Sequence, residues 1–133
     1  KGICYSLEMT NSLKSVVSIQ VAIETQECLV LTTAPNPDVA RALARRLVES
    51  ELAACVNVIP GVESHFQWQG ALECESEHLL LIKTHEARLN GLEQVIREIV
   101  PYETPEFLIV PVKGGSTDYL SWMRKSLRLG VDE

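Results

Sequence analysis

From Ala54 to Thr84 the chain reads with a period of two, interrupted at Pro60-Gly61 and Gln69-Gly70. This is the period of a half-buried strand, because successive side chains of an extended chain point to opposite faces. Ala54, Val56 and Val58 alternate with Cys55, Asn57 and Ile59; beyond the interruption, Val62, Ser64, Phe66 and Trp68 alternate with Glu63, His65 and Gln67. Proline and glycine together in mid-strand predict a bulge or bend that redirects one long strand. Gln69-Gly70 predicts a two-residue hairpin turn, with glycine where a positive φ is required. The return strand then runs from 71 to 84. Its first half carries Glu73, Glu75 and Glu77 on one face, and its second half contains Leu79-Leu80-Leu81-Ile82. A wet tip and a buried base are therefore expected. In a chain of 133 residues, such a hairpin projects as an arm and invites a partner.

The flanking segments supply the elements that can bury its base. Cys28 to Thr33 is a short apolar run, expected as a buried strand. Asn36 is placed to cap a helix, with Pro37 at its first position and Asp38 in its positive first turn. Val39, Leu43, Leu47, Val48 and Leu52 then recur at helical spacing over about four turns. A second helix is predicted from Leu89, Leu92, Val95, Ile96 and Ile99, stopped by Pro101, despite Gly91 costing about 1 kcal/mol relative to alanine. A strand over 106–112 follows, and Pro111 assigns it to a sheet edge because proline lacks a ladder donor. Leu120, Met123 and Leu127 define a short terminal helix, with Ser116 or Thr117 as its cap.

The order βαββαβ plus a helix predicts an α+β fold of the ferredoxin-like, split-βαβ kind. It has a four-stranded antiparallel sheet with two helices on one face, a long hairpin between its second and third strands, and a short C-terminal helix. The other sheet face stays bare in a monomer, which predicts oligomerisation. This domain is expected over 28–133, with 1–27 as an N-terminal extension. Val17, Ile19, Val21 and Ile23 alternate with Ser18, Gln20 and Ala22, so one added strand is expected at 15–24. The chain starts at Lys1, and Met9 is a candidate natural start, so residues 1–14 receive no functional weight.

Charge and cysteine usage exclude several classes. Eighteen acidic against twelve basic residues leave a net charge of −6, and no basic run is present. A nucleic-acid groove and a polybasic membrane patch are both disfavoured. No apolar stretch approaches the roughly 20 residues of a membrane helix. Cys4, Cys28, Cys55 and Cys74 form no C-x-x-C pair, which points to reduced thiols and a cytoplasmic location, with no zinc knuckle. A chain of this length buries roughly two-thirds of its surface on folding, enough for one core without metal or disulfide staples.

Five segments now stand out: A-C-V-N-V-I-P-G at 54–61, W-Q-G at 68–70, L-L-L-I-K-T at 79–84, P-Y-E-T-P-E at 101–106 and Y-L-S-W at 119–122. Together, in this order, they resemble the divalent-cation tolerance proteins of the CutA family across about 28–128. The resemblance implies a ferredoxin-like fold, a homotrimer with the long hairpins packed between subunits, and a role in tolerance of copper or other divalent metals. It implies no catalytic activity and no required cofactor. Family members also share architecture with the nitrogen-regulatory PII signal proteins, and mammalian relatives are associated with anchoring of acetylcholinesterase. The alternative function is accordingly a PII-like module that senses a small ligand at inter-subunit clefts.

This chain departs from the family at one functional place. Bacterial relatives with proposed copper ligation carry cysteine at the end of the first strand and histidine before the Pro-Tyr junction. The matching positions here are Thr32, Ile99 and Val100, which offer copper nothing better than a hydroxyl. Phe66 also replaces a tyrosine common in the family.

Two candidate sites follow. A Gln69-Gly70 turn places His65 opposite Cys74 and Glu63 opposite Ser76, so His65, Cys74 and Glu63 become candidate metal ligands, with imidazole and thiolate suited to Cu(I) or Zn(II). A slip of one residue would send the pair to opposite faces, and the plainer reading is an incidental contact on a polar arm. Trp68, Lys83, Tyr102, Glu106, Tyr119 and Trp122 lie within the resembling segments and form the second candidate, an inter-subunit cleft for a small ligand or a trimer contact. Under the second of those readings Lys83 and Glu106 close an ion pair. Glu73, Glu75 and Glu77 are expected to be a solvated acidic face. A nucleophilic set of Cys55, Asn57 and His65 lacks any supporting motif, and a thiol in an apolar strand is ordinarily inert packing.

Overall fold

The computed structural model describes residues 3–10, 16–23 and 25–130, with backbone pairing alone for the first two segments. The remaining positions of the expected extension and the last three residues lie outside the described residues. The strands are β1 (Ile3–Thr10), β2 (Val16–Ile23), β3 (Glu27–Ala34), β4 (Cys55–Trp68), β5 (Ala71–His85), β6 (Leu108–Pro111) and β7 (Gly114–Ser116). The helices are α1 (Pro37–Glu49), α2 (Leu89–Ile99) and α3 (Thr117–Ser126). The sheet that β4, β5, β3 and β6 form in that order is antiparallel throughout. This is the ferredoxin-like arrangement, in which both crossing helices lie on one side.

Local signals explain why the helices form where they do. Asn36 caps α1 by accepting the Val39 N–H at 2.9 Å, and Ser116 caps α3 by accepting the Tyr119 N–H at 3.2 Å. Helix α1 buries Ala40, Leu43 and Leu47, while Val48 is 44% exposed and Leu52 lies past the helix end. The apolar stripe is therefore narrower than the sequence spacing predicts. Leu92, Val95 and Ile96 of α2 complete a core with Val30, Leu80 and Ile82. Gly91 is explained by close approach: a Cβ there would stand 2.9 Å from a Leu52 methyl. Arg46 of α1 reaches Glu98 of α2 at 2.9 Å across the helix pair.

Strand β6 sits at the sheet edge, as Pro111 requires, but spans 108–111 and not 106–112. Ahead of it, the Glu106 carbonyl is taken by the Thr32 hydroxyl at 2.7 Å. Behind it, the chain turns into β7, which pairs with β2, while β2 pairs with β1 from Ile3↔Ile23 to Thr10↔Val16. The N-terminal segments thus build a second, three-stranded sheet. Helix α3 is tied to the main sheet by a buried ion pair, Arg124 Nε to Glu27 at 2.8 Å, and by a small cluster of Ala54, Leu120, Met123 and Leu127.

Candidate functional site

The long hairpin positions everything that follows. Its turn is Gln69-Gly70, with φ of 49° and 82°, the left-handed pair that a two-residue hairpin loop requires. This closes a ladder in which Trp68↔Ala71, Phe66↔Glu73, His65↔Cys74, Ser64↔Glu75 and Glu63↔Ser76 face each other. Between Ile59 and Val62 the register shifts by one, because Pro60 and Gly61 together oppose His78, and Gly61 has a φ of 72°. The bulge moves the even positions of β4 from one face to the other: Val56 and Val58 oppose Ile82 and Leu80, which are buried in the core, whereas Val62, Ser64 and Phe66 oppose the three glutamates.

On one side of the arm the three candidate metal ligands converge. His65 Nε2 lies 2.7 Å from Glu63 Oε1 and 3.7 Å from Cys74 Sγ. One ligand atom from each residue lies within 4.8 Å of the others, and all three residues are exposed. The other histidines stand apart: His78, in β5, opposes Ala34 of β3, and His85 Nδ1 accepts the Ala87 N–H at 3.0 Å to start a short turn at Glu86–Arg88.

On the other side, Glu73, Glu75 and Glu77 line an open cavity of about 700 Å³ with Phe66, Trp68, Tyr102, Glu103 and Glu106. The acidic face is not uniformly solvated. Glu77 is only 8% exposed and accepts the Tyr102 hydroxyl at 2.6 Å. Burial alone would raise its carboxyl, but hydrogen bonds from Tyr102, Ser64 and Thr33 outweigh that and hold it below the ordinary value. Burial and the same contact push the Tyr102 hydroxyl well above the usual tyrosine range. Glu106 is raised by burial and then by the nearby Glu77 charge. Tyr102 lies within one of the five resembling segments, whereas nothing local marks Glu77 as its partner.

The six cleft candidates divide within one chain. Trp68, Tyr102 and Glu106 line the cavity. Lys83 instead reaches the Tyr119 hydroxyl at 3.3 Å and lies 5.7 Å from that ring's centre, while Tyr119 and Trp122 pack with centroids 5.3 Å apart. Among the described residues, no ion pair joins Lys83 to Glu106. The nucleophilic set does not assemble either, since Cys55 opposes Lys83 at the base and His65 stands ten residues along the same strand, roughly 30 Å at ordinary strand rise. Burial, then Glu86 and Glu27, raise the Cys28 thiol to about 11, so it stays protonated.

The positions matching the copper ligands proposed in bacterial relatives do not fit a metal. Thr32 is fully buried with its hydroxyl committed to Glu106, and Val100 is buried among core residues with Ile99 packed beside it. Any metal chemistry must lie elsewhere.

Residues 28–126 match the family model described as CutA1 divalent ion tolerance protein. The chain is similar to "Protein CutA, chloroplastic" of Arabidopsis thaliana, 38% identical over 96% of this chain, and spans 65% of that relative's length, just under two-thirds. It is 44% identical to the "Divalent-cation tolerance protein CutA" of Pectobacterium atrosepticum over 75% of this chain and 91% of that one. Among solved structures, the divalent cation tolerance protein from Thermus thermophilus superposes with a TM-score of 0.74 at 40% identity, covering 78% of this chain and 99% of that one. Fold, order of elements and sequence agree, and the chain belongs to the CutA1 divalent ion tolerance family.

Proposed function

We propose that this chain is a non-catalytic protein of divalent-cation tolerance or response, copper included, that works as a homotrimer and requires no resident cofactor. Membership in the divalent ion tolerance family supports the role, and the apolar surface left on the sheet and arm supports the assembly. Leu108 is 56% exposed, Ile59 and Val110 are each 40% exposed, and Phe66 and Trp68 are 40% and 39% exposed on the arm. Surface of this kind is ordinarily covered by a partner, and a closed ring of identical subunits lets every arm cover a neighbour. Three is the number of subunits that the resemblance implies. Free thiols at Cys28, Cys55 and Cys74 support a reducing, cytoplasmic setting, and among the described residues no helix is long and apolar enough to cross a membrane.

Light scattering of the purified chain tests the assembly: a mass three times that of the monomer is expected, and a monomer or dimer at micromolar concentration overturns it. For the cellular role, a strain lacking its own family member should regain growth in excess copper when it expresses this chain. Unchanged copper sensitivity at matched expression would reject the tolerance reading.

The cavity favours a second reading, a PII-like module that binds a small ligand. Carboxylates beside Trp68 and Tyr102 suit an organic cation. Calorimetric titration with a polyamine should then show binding that weakens in Glu73→Gln; no heat from the parent protein removes this reading.

A further inference from the structure

The side of the arm opposite the cavity carries the densest set of soft and borderline donors among the described residues, and no established role accounts for it. We propose that Glu63, His65 and Cys74 form a metal site of the carboxylate-imidazole-thiolate class, suited to Zn(II), with an open fourth position facing solvent. The inference rests on the cation-tolerance reading for its physiological meaning, whereas binding itself is tested on the purified protein.

The geometry carries it in three steps. First, the ladder fixes the donors: His65 and Cys74 are directly opposed, and the two-residue Gln69-Gly70 turn locks that register. Cross-strand partners have Cβ atoms about 5 Å apart, so no backbone movement is needed to bring the side chains to one ion. Second, the distances match. A tetrahedral zinc with bonds of about 2.3 Å to sulfur and about 2.05 Å to nitrogen separates those two ligands by about 3.6 Å, and His65 Nε2 stands 3.7 Å from Cys74 Sγ. Third, the same nitrogen meets Glu63 Oε1 at 2.7 Å, a hydrogen-bond length. Around an ion those atoms stand about 3.4 Å apart, so Glu63 retreats by a fraction of an ångström as the metal replaces the shared proton.

Binding requires Cys74 as thiolate and His65 neutral with its proton on Nδ1, so the thiol proton is released and the Nε2 proton is lost or moved to Nδ1. Affinity must therefore fall as pH drops. A three-ligand site keeps a position for water and exchanges its ion readily, unlike the closed four-ligand sites that hold structural zinc.

The test uses the whole 133-residue chain under reducing, anaerobic conditions, with Co(II) as a spectroscopic substitute and Zn(II) in competition. Co(II) should give a thiolate charge-transfer band that Zn(II) abolishes. Cys74→Ser should eliminate the band, and Cys55→Ser should leave it intact. His65→Ala should weaken Zn(II) by more than the 10–100-fold typical of losing an outer-shell partner, and Glu63→Gln should weaken Zn(II) while sparing Cu(I), which has little use for a carboxylate. All three ligands are exposed, so these variants should fold, and circular dichroism checks that they do. Absence of the band, its survival in Cys74→Ser, or its equal loss in Cys55→Ser overturns the site. Copper tolerance failing in cells while the band behaves as expected rejects the cellular role alone.

Discussion

The two halves of the long hairpin are built from one continuous pair of strands but obey different rules. At the base, Leu80 and Ile82 are fully buried against both helices. On the arm, Leu72 is 74% exposed, and the positions around it carry charge, thiol and imidazole. The base is held by burial that any ferredoxin-like domain shares, whereas the arm is held by its turn, its ladder and whatever it meets. Stability and specific chemistry are thus separated along one ribbon, with the dividing point at Pro60-Gly61.

Substitutions on either side can break this contrast. Leu80→Ala should cost about 2–5 kcal/mol in chemical denaturation, the range for truncating a buried leucine, while Leu72→Ala should stay within about 0.5 kcal/mol in the monomer. Equal effects would mean that the arm is as much a part of the core as the base. Next in size, Trp68→Glu should weaken assembly by more than about 2 kcal/mol, since aromatic anchors dominate interfaces. Mass measured against concentration reads this out, and an unaltered assembly would place the contact elsewhere.

A smaller effect is expected at the border. Tyr102→Phe removes the donor to Glu77 and should cost about 1.5 kcal/mol at neutral pH, as for a hydrogen bond to a charged group. Because the Glu77 carboxyl is lowered on folding, its contribution is present above the ordinary value of 4.5 and is lost as pH falls through its lowered folded value. Glu106, raised on folding, works in the opposite direction. The gap between parent and variant should therefore narrow under acid; a gap that is constant with pH would deny the ionised contact. Smallest of all, removing residues 1–14 should leave fold and assembly intact, since it strips only the outer strand of the second sheet. A large fall in melting temperature would show that this strand supports the main domain.

Much of this architecture is legible in the order of the amino acids alone. Alternation locates β4 and β5, Asn36-Pro37 locates the start of α1, and the two-residue turn determines that His65 faces Cys74. Each is a local rule acting on neighbouring residues. What escapes is long-range. Gly114-Gly115-Ser116 carries no apolar pattern, so nothing announces that it pairs with β2. The burial of Glu77 depends on Tyr102, 25 residues away, and an acidic run offers no hint that one of its members is withdrawn from water. The six aromatic and charged cleft candidates share only membership in the resembling segments, and sequence proximity to a motif carries no distance, so the chain sorts them into two separate groups.

The bulge at Pro60-Gly61 has an evolutionary consequence. Because both residues share one slot opposite His78, deleting either would leave every cross-strand partnership of the arm as it is, His65 with Cys74 included. Only the kink and the added twist would go. Length variation at this single point is therefore a steering adjustment: a lineage can re-aim the whole arm towards a differently shaped neighbour while its side-chain pairs descend unchanged.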